Sequence, residues 1–218
     1  MRQRQRLAIV GNGLAAGRLL DELIRRGGSD RFEIHTYGEE PHGLYNRILI
    51  GRILEGGTAE EITLKSVDWY AENGIAFHRG VLVDHLETSS RQVVTEDGES
   101  HPYDLAVLAT GSRPWIPPMD GLLGADGRPR SGVFAFRTLE DGARIRRRAG
   151  SGKRAVVLGG GLLGLEAAKS LRDLGLRVTV VQRAETLMDQ QVDSLGGQFL
   201  RRAIERLGIE VVAGVQTT

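Results

Sequence analysis

Two glycine turns hold the residues of this 218-residue sequence best suited to chemistry. One reads Gly11-Asn12-Gly13-Leu14-Ala15-Ala16, the other Gly159-Gly160-Gly161-Leu162-Leu163-Gly164. Both fit G-x-G-x-x-G/A, in which the first glycine makes a tight turn and the second removes a side chain that would block a phosphate. The third lets helix and strand pack closely, and alanine is allowed there. The first-turn amides of Leu14, Ala15 and Ala16, and of Leu162, Leu163 and Gly164, would then donate hydrogen bonds, aided by the positive end of the helix dipole. The implied chemistry is the binding of a dinucleotide pyrophosphate at each turn. A lone match is a weak signal, because such turns also join strands to helices without a ligand. Two in phase, with the right elements on either side, are a much stronger one.

The elements needed to position these turns are legible as well. Gly11 matches Gly159, Gly13 matches Gly161 and Gly27 matches Gly175 at one constant offset, so the two copies align without a gap. Each copy opens with a short apolar run, Leu7–Val10 or Ala155–Leu158, which suits a buried parallel strand. Apolar residues at helical spacing follow: Leu19, Leu20, Leu23 and Ile24 in the first, Leu163, Ala167, Leu171 and Leu174 in the second. Gly27 and Gly175 suit a left-handed helix stop. Second strands are expected at Glu33–Tyr37 and Arg177–Gln182, giving two βαβ units. Between the copies, Val81–Glu87 and Arg91–Glu96 read as a hairpin or meander and Asp104–Ala109 as a strand. Residues 117–132 read as glycine- and proline-rich loop, and Leu139–Ala149 as a basic helix.

An acidic residue that binds the adenosine ribose should end the second strand of such a unit. In the first copy Glu39 and Glu40 follow the strand, and Glu39, which comes sooner, is the better candidate. In the second copy the position holds Gln182, followed by Arg183. A carboxylate there would repel a 2′-phosphate and an arginine would pair with it. NADPH is therefore allowed, while the neutral glutamine also suits the ribose of NADH. The choice stays open.

Composition narrows the remaining classes. The net charge of +1 provides no global field for nucleic acid or an anionic membrane. With no cysteine, disulfides, thiolate metal sites and cysteine-pair redox relays are excluded within these residues. No apolar run approaches the ~20 residues needed to cross a bilayer, so a soluble, cytoplasmic protein is expected. His35, His42, His78, His85 and His101 lack zinc-ligand spacing and read as ordinary polar residues; no metal site is expected. The arginines at 144 and 146–148 read as a solvated helix face, and Trp69 and Tyr70 as core anchors.

At this point the sequence resembles the pyridine nucleotide–disulfide oxidoreductase superfamily. Within it the likeness is greatest to the FAD/NAD(P)H-binding N-terminal part of assimilatory nitrite reductase large subunits. Beyond the glycine turns it is carried by Glu40-Pro41-His42, Tyr45-Asn46-Arg47-Ile48-Leu49, Trp69-Tyr70-Ala71-Glu72-Asn73-Gly74-Ile75, Ala109-Thr110-Gly111-Ser112-Arg113-Pro114, Leu165-Glu166 and Thr186-Leu187-Met188. The resemblance implies an α/β protein with two Rossmann-like, three-layer nucleotide-binding domains and a β-meander insertion. It implies a first part of an FAD domain over 1–116, linker and loops over 117–152, and a truncated NAD(P)H domain over 153–218. Arg47 would lie beside the flavin pyrophosphate, Val81 against the adenine, and Ala109, Thr110 and Gly111 over the cofactor. Gly159, Gly161 and Gly164 would hold NADH or NADPH, and Glu166 would face the nicotinamide.

Three departures qualify the likeness. Many relatives carry Ser-Lys where this sequence has Gly51-Arg52, so an Arg52–Glu166 pair would have to replace the lysine–glutamate pair near the flavin. The redox cysteine pair is missing. The segment that completes the FAD domain is not in the sequence, which implies a fragment of a longer protein with weak FAD retention. The implied activity is FAD-dependent NAD(P)H oxidation, an electron-input step feeding a sirohaem/iron–sulfur centre of nitrite reductase type. Alternatives are a rubredoxin or ferredoxin reductase, a nitrate reductase electron-transfer subunit, and a non-catalytic dinucleotide-binding fragment. Neither nucleic acid nor membrane is an expected partner.

Overall fold

The computed structural model describes residues 4–150 and 154–216. The chain runs β1 (Gln5–Val10), α1 (Leu14–Arg25), α2 (Gly28–Arg31), β2 (Phe32–Gly38), β3 (Leu44–Tyr45), α3 (Gly51–Leu54), α4 (Ala59–Ile62), β4 (Thr63–Lys65), α5 (Val67–Glu72) and β5 (Ile75–Arg79). It continues through β6 (Val83–Glu87), β7 (Gln92–Thr95), β8 (Ser100–Pro102), β9 (Leu105–Leu108), α6 (Leu139–Ala149), β10 (Arg154–Leu158), α7 (Leu162–Asp173), β11 (Arg177–Gln182), α8 (Ser194–Arg206) and β12 (Glu210–Ala213). The class is α/β, with parallel sheets in two Rossmann-like compact units. No helix among the described residues is long and apolar enough to cross a membrane.

The first unit comprises residues 1–46 and 62–113. Its parallel sheet has the order β5-β2-β1-β9, with Leu7 opposite both Ile34 and Leu105. Side chains alternate across β1. Leu7 and Ile9 enter a core with Ala16 and Leu20 of α1, Tyr70 of α5, Ile34 and Ile75. Ala8 faces the other way, with Tyr37, Val93, Val83 and Leu86, where the antiparallel meander β6-β7-β8 covers the sheet. The amphipathic face expected of α1 is present: Leu20 is wholly buried, while Arg18 and Arg25 face solvent and pair with Glu22. The helix stops at Gly27, which is left-handed (φ 68°).

The second unit comprises residues 47–61 and 114–218. Its parallel sheet has the order β10-β11-β12. One face, with Val178, Val180 and Val211, is buried under α7 and α8 together with Ala149 at the end of α6. The opposite face of β10 is open: Val156 is 64% and Leu158 40% exposed. The buried strand expected at Ala155–Leu158 is thus covered on one face only, where Ala155 and Val157 are partly buried against the core, and within the described residues it pairs with β11 alone.

These units divide the chain differently from the linear 1–116, 117–152 and 153–218 partition. Residues 47–61 leave the first unit because their apolar side chains, Ile50, Ile53 and Leu54, are buried. Ile53 packs so closely on Gly142 of α6 that a Cβ there would lie 3.0 Å from its Cγ2. Glu55 accepts a hydrogen bond from the buried hydroxyl of Ser170 in α7 (3.2 Å). The linker therefore contributes a core helix: α6 spans Leu139–Ala149 as its pattern predicts, with a capping box built from Thr138 and Asp141.

Candidate nucleotide sites

In the first unit the glycine turn connects the C-terminal end of β1 to α1. Gly11 has φ +113°, and a Cβ on it would overlap the carbonyl of Ala109. That carbonyl is close because Ala109 continues from β9 and donates its N–H to Val10 (2.7 Å). Gly11 itself donates to the carbonyl of Tyr37 in β2 (2.9 Å). Gly13, by contrast, has nothing within 4 Å of where a Cβ would stand. Beyond it, the first helical bond runs from Gly17 N–H to the Gly13 carbonyl (2.9 Å), so the amides of Leu14, Ala15 and Ala16 have no acceptor within the helix.

The second unit repeats this arrangement. Gly159 (φ +108°) and Gly161 both face open space, and the first helical bond joins Leu165 N–H to the Gly161 carbonyl (3.0 Å). Leu162 and Leu163 are exposed at the mouth of the turn (58% and 61%). A Cβ on Gly164 would overlap the carbonyl of Gly159, so this glycine meets the need for close helix–strand packing.

Capping separates these two helices from others in the chain. Helices α5, α6 and α8 each have a side-chain cap, from Ser66, Thr138 and Asp193. Helices α1 and α7 begin at glycines with no side-chain cap. An uncapped, partly exposed helix start at the end of a parallel strand can bind an anion with main-chain amides. The space in front of Gly13 and Gly161, which a side chain would fill, fits a pyrophosphate.

Several residues singled out in the sequence converge on the first turn. Glu39 directly follows β2 and forms an exposed pair with Arg113 (3.9 Å), worth little in water. Glu40 accepts from the hydroxyl of Tyr45 (2.7 Å), and Val81 donates its N–H to the Gly38 carbonyl (2.9 Å). Glu39, Val81, Ala109 and the turn thus share the C-terminal edge of one sheet; Thr110 and Gly111 follow directly. Asn12, assigned no role by its sequence motif, accepts from the hydroxyl of buried Tyr70 (2.6 Å) and braces the turn from below. Trp69 contacts that core edge-on to Tyr70.

Arg47 and Arg52 fall in the second unit. Arg47 donates to the carbonyl of Arg137 (3.1 Å). Arg52 lies on α3 and Glu166 on α7, both exposed, and no ion pair joins them among the described residues. Those two helices are instead linked through Glu55, which faces Lys169 (3.8 Å) as well as Ser170. At the end of β11, Gln182 Oε1 accepts from Gly160 N–H (2.8 Å), while Nε2 donates to Asp189 (2.9 Å). Asp189 directly follows the Thr186-Leu187-Met188 segment, which carries the resemblance but gives this carboxylate no role.

The histidines show a grouping their spacing concealed. His35 Nδ1 and His78 Nε2 are 3.1 Å apart, His78 stacks on Tyr37 (4.4 Å between ring centres), and His101 of the meander leans on both rings. Burial, reinforced by the neighbouring His35 and His101, pushes the His78 pKa down to about 4. Burial raises that of Tyr37 to about 12. Among the described residues no group of three or more histidine or carboxylate side chains is arranged to hold a metal.

Comparison with known proteins agrees with the paired turns. The model of the pyridine nucleotide-disulphide oxidoreductase family matches residues 5–218. The chain is 40% identical over 215 residues to a nitrite reductase [NAD(P)H] of Bacillus subtilis (strain 168), covering 98% of this chain and 26% of that protein. It is 38% identical to an assimilatory nitrate reductase electron transfer subunit of the same organism, covering 95% of this chain and 26% of that protein. Among solved structures it superposes on the covalent putidaredoxin reductase–putidaredoxin complex with a TM-score of 0.85 at 29% identity, covering 99% of this chain and 51% of that one. The chain therefore spans between about a quarter and a half of the length of these relatives. On these matches, the chain belongs to the pyridine nucleotide-disulphide oxidoreductase family.

Proposed function

We propose that this chain is the nucleotide-binding part of an FAD-dependent NAD(P)H oxidoreductase and serves as the electron-input module of a nitrite reductase-type enzyme. The observation that carries this is the pair of uncapped helix starts, each behind a glycine whose missing side chain leaves the amides open. When bound, the two dinucleotides supply hydride transfer and onward delivery of electrons. The protein needs no general base or nucleophile for that chemistry; its task is to bind and orient.

In the first unit Gly13 and the amides of Leu14, Ala15 and Ala16 hold the FAD pyrophosphate, with Glu39 at the adenosine ribose and the backbone of Val81 at the adenine. Thr110 and Gly111 close over that cofactor. In the second unit Gly161 and the amides of Leu162, Leu163 and Gly164 hold the nicotinamide dinucleotide, and Glu166 is directed to the nicotinamide. The likeness to nitrite reductases supports a sirohaem/iron–sulfur acceptor. The likeness to putidaredoxin reductase favours a ferredoxin-type protein as the second reading. The test is an equilibrium titration with FAD followed by flavin fluorescence, then anaerobic NADH or NADPH followed by absorption. Saturable quenching of the flavin, and bands that bleach with the nicotinamide, are expected. Flavin fluorescence unchanged by the protein overturns the FAD assignment.

A further inference from the structure

The adenosine ribose of a βαβ-bound dinucleotide falls at the C-terminal end of the second strand, where a carboxylate accepts the 2′-hydroxyl of NADH or repels the 2′-phosphate of NADPH. In the second unit that strand ends in neutral Gln182, and its amide is already engaged. Its oxygen accepts from Gly160 N–H inside the glycine turn (2.8 Å), and its nitrogen donates to Asp189 Oδ1 (2.9 Å). We propose that Asp189, anchored by Gln182, is the specificity-determining carboxylate of this nucleotide site, and that it favours NADH over NADPH. This rests on the reading of the second unit as the NAD(P)H site.

The loop that brings Asp189 there is built in detail. Met188, just before it, is left-handed (φ 49°), an uncommon conformation for a bulky residue, which a surrounding framework must hold in place. That framework consists of the Met188 N–H, which donates to the Gly160 carbonyl (2.9 Å), and the Met188 carbonyl, which accepts from Gln191 (2.8 Å) and Val192 (3.0 Å). Leu187, beside it, is 1% exposed and packs where a Cβ of Gly160 would stand. The loop and the glycine turn are thus joined through both the N–H and the carbonyl of Gly160. The second Asp189 oxygen accepts from Gln190 (2.7 Å). A carboxylate has about four acceptor sites, so two hydrogen bonds leave room for a ribose hydroxyl. Arg183 is the cation that would welcome a 2′-phosphate, but it is exposed and makes no hydrogen bond or ion pair among the described residues. The anchored charge is therefore the one set to discriminate.

The test is equilibrium binding of NADH and of NADPH, by calorimetry, to the chain and to Asp189→Asn and Gln182→Ala. The asparagine keeps the shape and the acceptor for Gln182, and removes the charge together with the acceptor used by exposed Gln190. The unsubstituted chain should bind NADH more tightly. Asp189→Asn should move the ratio of the two affinities toward NADPH by about tenfold, a change of about 1.4 kcal/mol. Gln182→Ala, which releases Asp189, should move it the same way by less. A purely structural role would weaken both nucleotides together and leave their ratio alone. Ordinary binding with a ratio unmoved within about twofold overturns the assignment to Asp189 while sparing the nucleotide site. Binding of neither nucleotide overturns both.

Discussion

In the first unit β1 runs between β2 and β9, whereas in the second, among the described residues, β10 pairs with β11 alone. Matched glycines consequently have different work to do. Gly11 sits against the carbonyl of Ala109 on the neighbouring strand; Gly159, its counterpart, has nothing within 4 Å. At the third position the order reverses: the methyl group of Ala16 is accommodated in a closed core, whereas a methyl group on Gly164 would overlap a carbonyl of its own turn. Gly13 and Gly161 alone have the same surroundings in both units, and those surroundings are empty. The first and third glycines of the pattern are thus explained by local packing that varies between the copies. The second has no such packing reason, which is why the proposed phosphate site is centred on it.

The largest effect should come from Gly11→Ala. A non-glycine residue at φ +113° is strained, and its Cβ must also displace a strand-end carbonyl. Urea unfolding should show a loss of about 3 kcal/mol or more, against about 1–2 kcal/mol for Gly159→Ala, where strain acts without the overlap. Equal losses would break the contrast between an inner and an outer strand.

Next in size is the third position. Gly164→Ala should cost about 2–3 kcal/mol, because the obstacle is backbone and cannot swing aside. The reverse change, Ala16→Gly, should cost about 1–2 kcal/mol through helix propensity and one lost buried methyl.

The histidine group gives the first unit a sensitivity to acid with no histidine counterpart in the second. His78 ordinarily titrates at 6.5 but at about 4 in the folded chain, so between those values the unfolded chain takes up a proton that the folded one refuses. Stability should therefore be complete above pH 6.5 and fall as the pH drops toward 4. After allowance for partial exposure the loss is about 2 kcal/mol. Thermal melts of the wild type and of His78→Phe across this range should converge at low pH; parallel profiles would remove His78 as the cause.

The smallest structural effect belongs to the position with the clearest ligand role. Gly13→Ala and Gly161→Ala should change stability by less than about 1 kcal/mol, since each methyl enters open space. Nucleotide retention should nevertheless fall severely, of FAD in the first case and of NAD(P)H in the second. Unchanged retention would show that the space in front of these glycines is not where phosphates lie.

Much of this was legible in the residues. Strand, glycine turn, helix and left-handed stop are local features, written in spacing and in glycine placement, and they read correctly in both copies. The meander and α6 were legible for the same reason. The short helices α3 and α4 were not, because four-residue segments carry too little periodicity to announce themselves. The migration of residues 47–61 into the second unit was hidden as well. It depends on Ile53 meeting Gly142 and Glu55 meeting Ser170, pairs far apart along the chain.

By itself the sequence determined that this protein has two strand–glycine turn–helix units with uncapped helix starts, since backbone conformation and the start of a helix are set by neighbours within a few residues. Only the tertiary structure decided which charge stands beside each turn. Asp189 reaches Gly160 through Gln182, and the three histidines meet across two sheets. The physical reason is that the turns are made of main-chain amides, whose positions follow local geometry. The charges beside them belong to side chains, whose neighbours are chosen by the packing of distant segments.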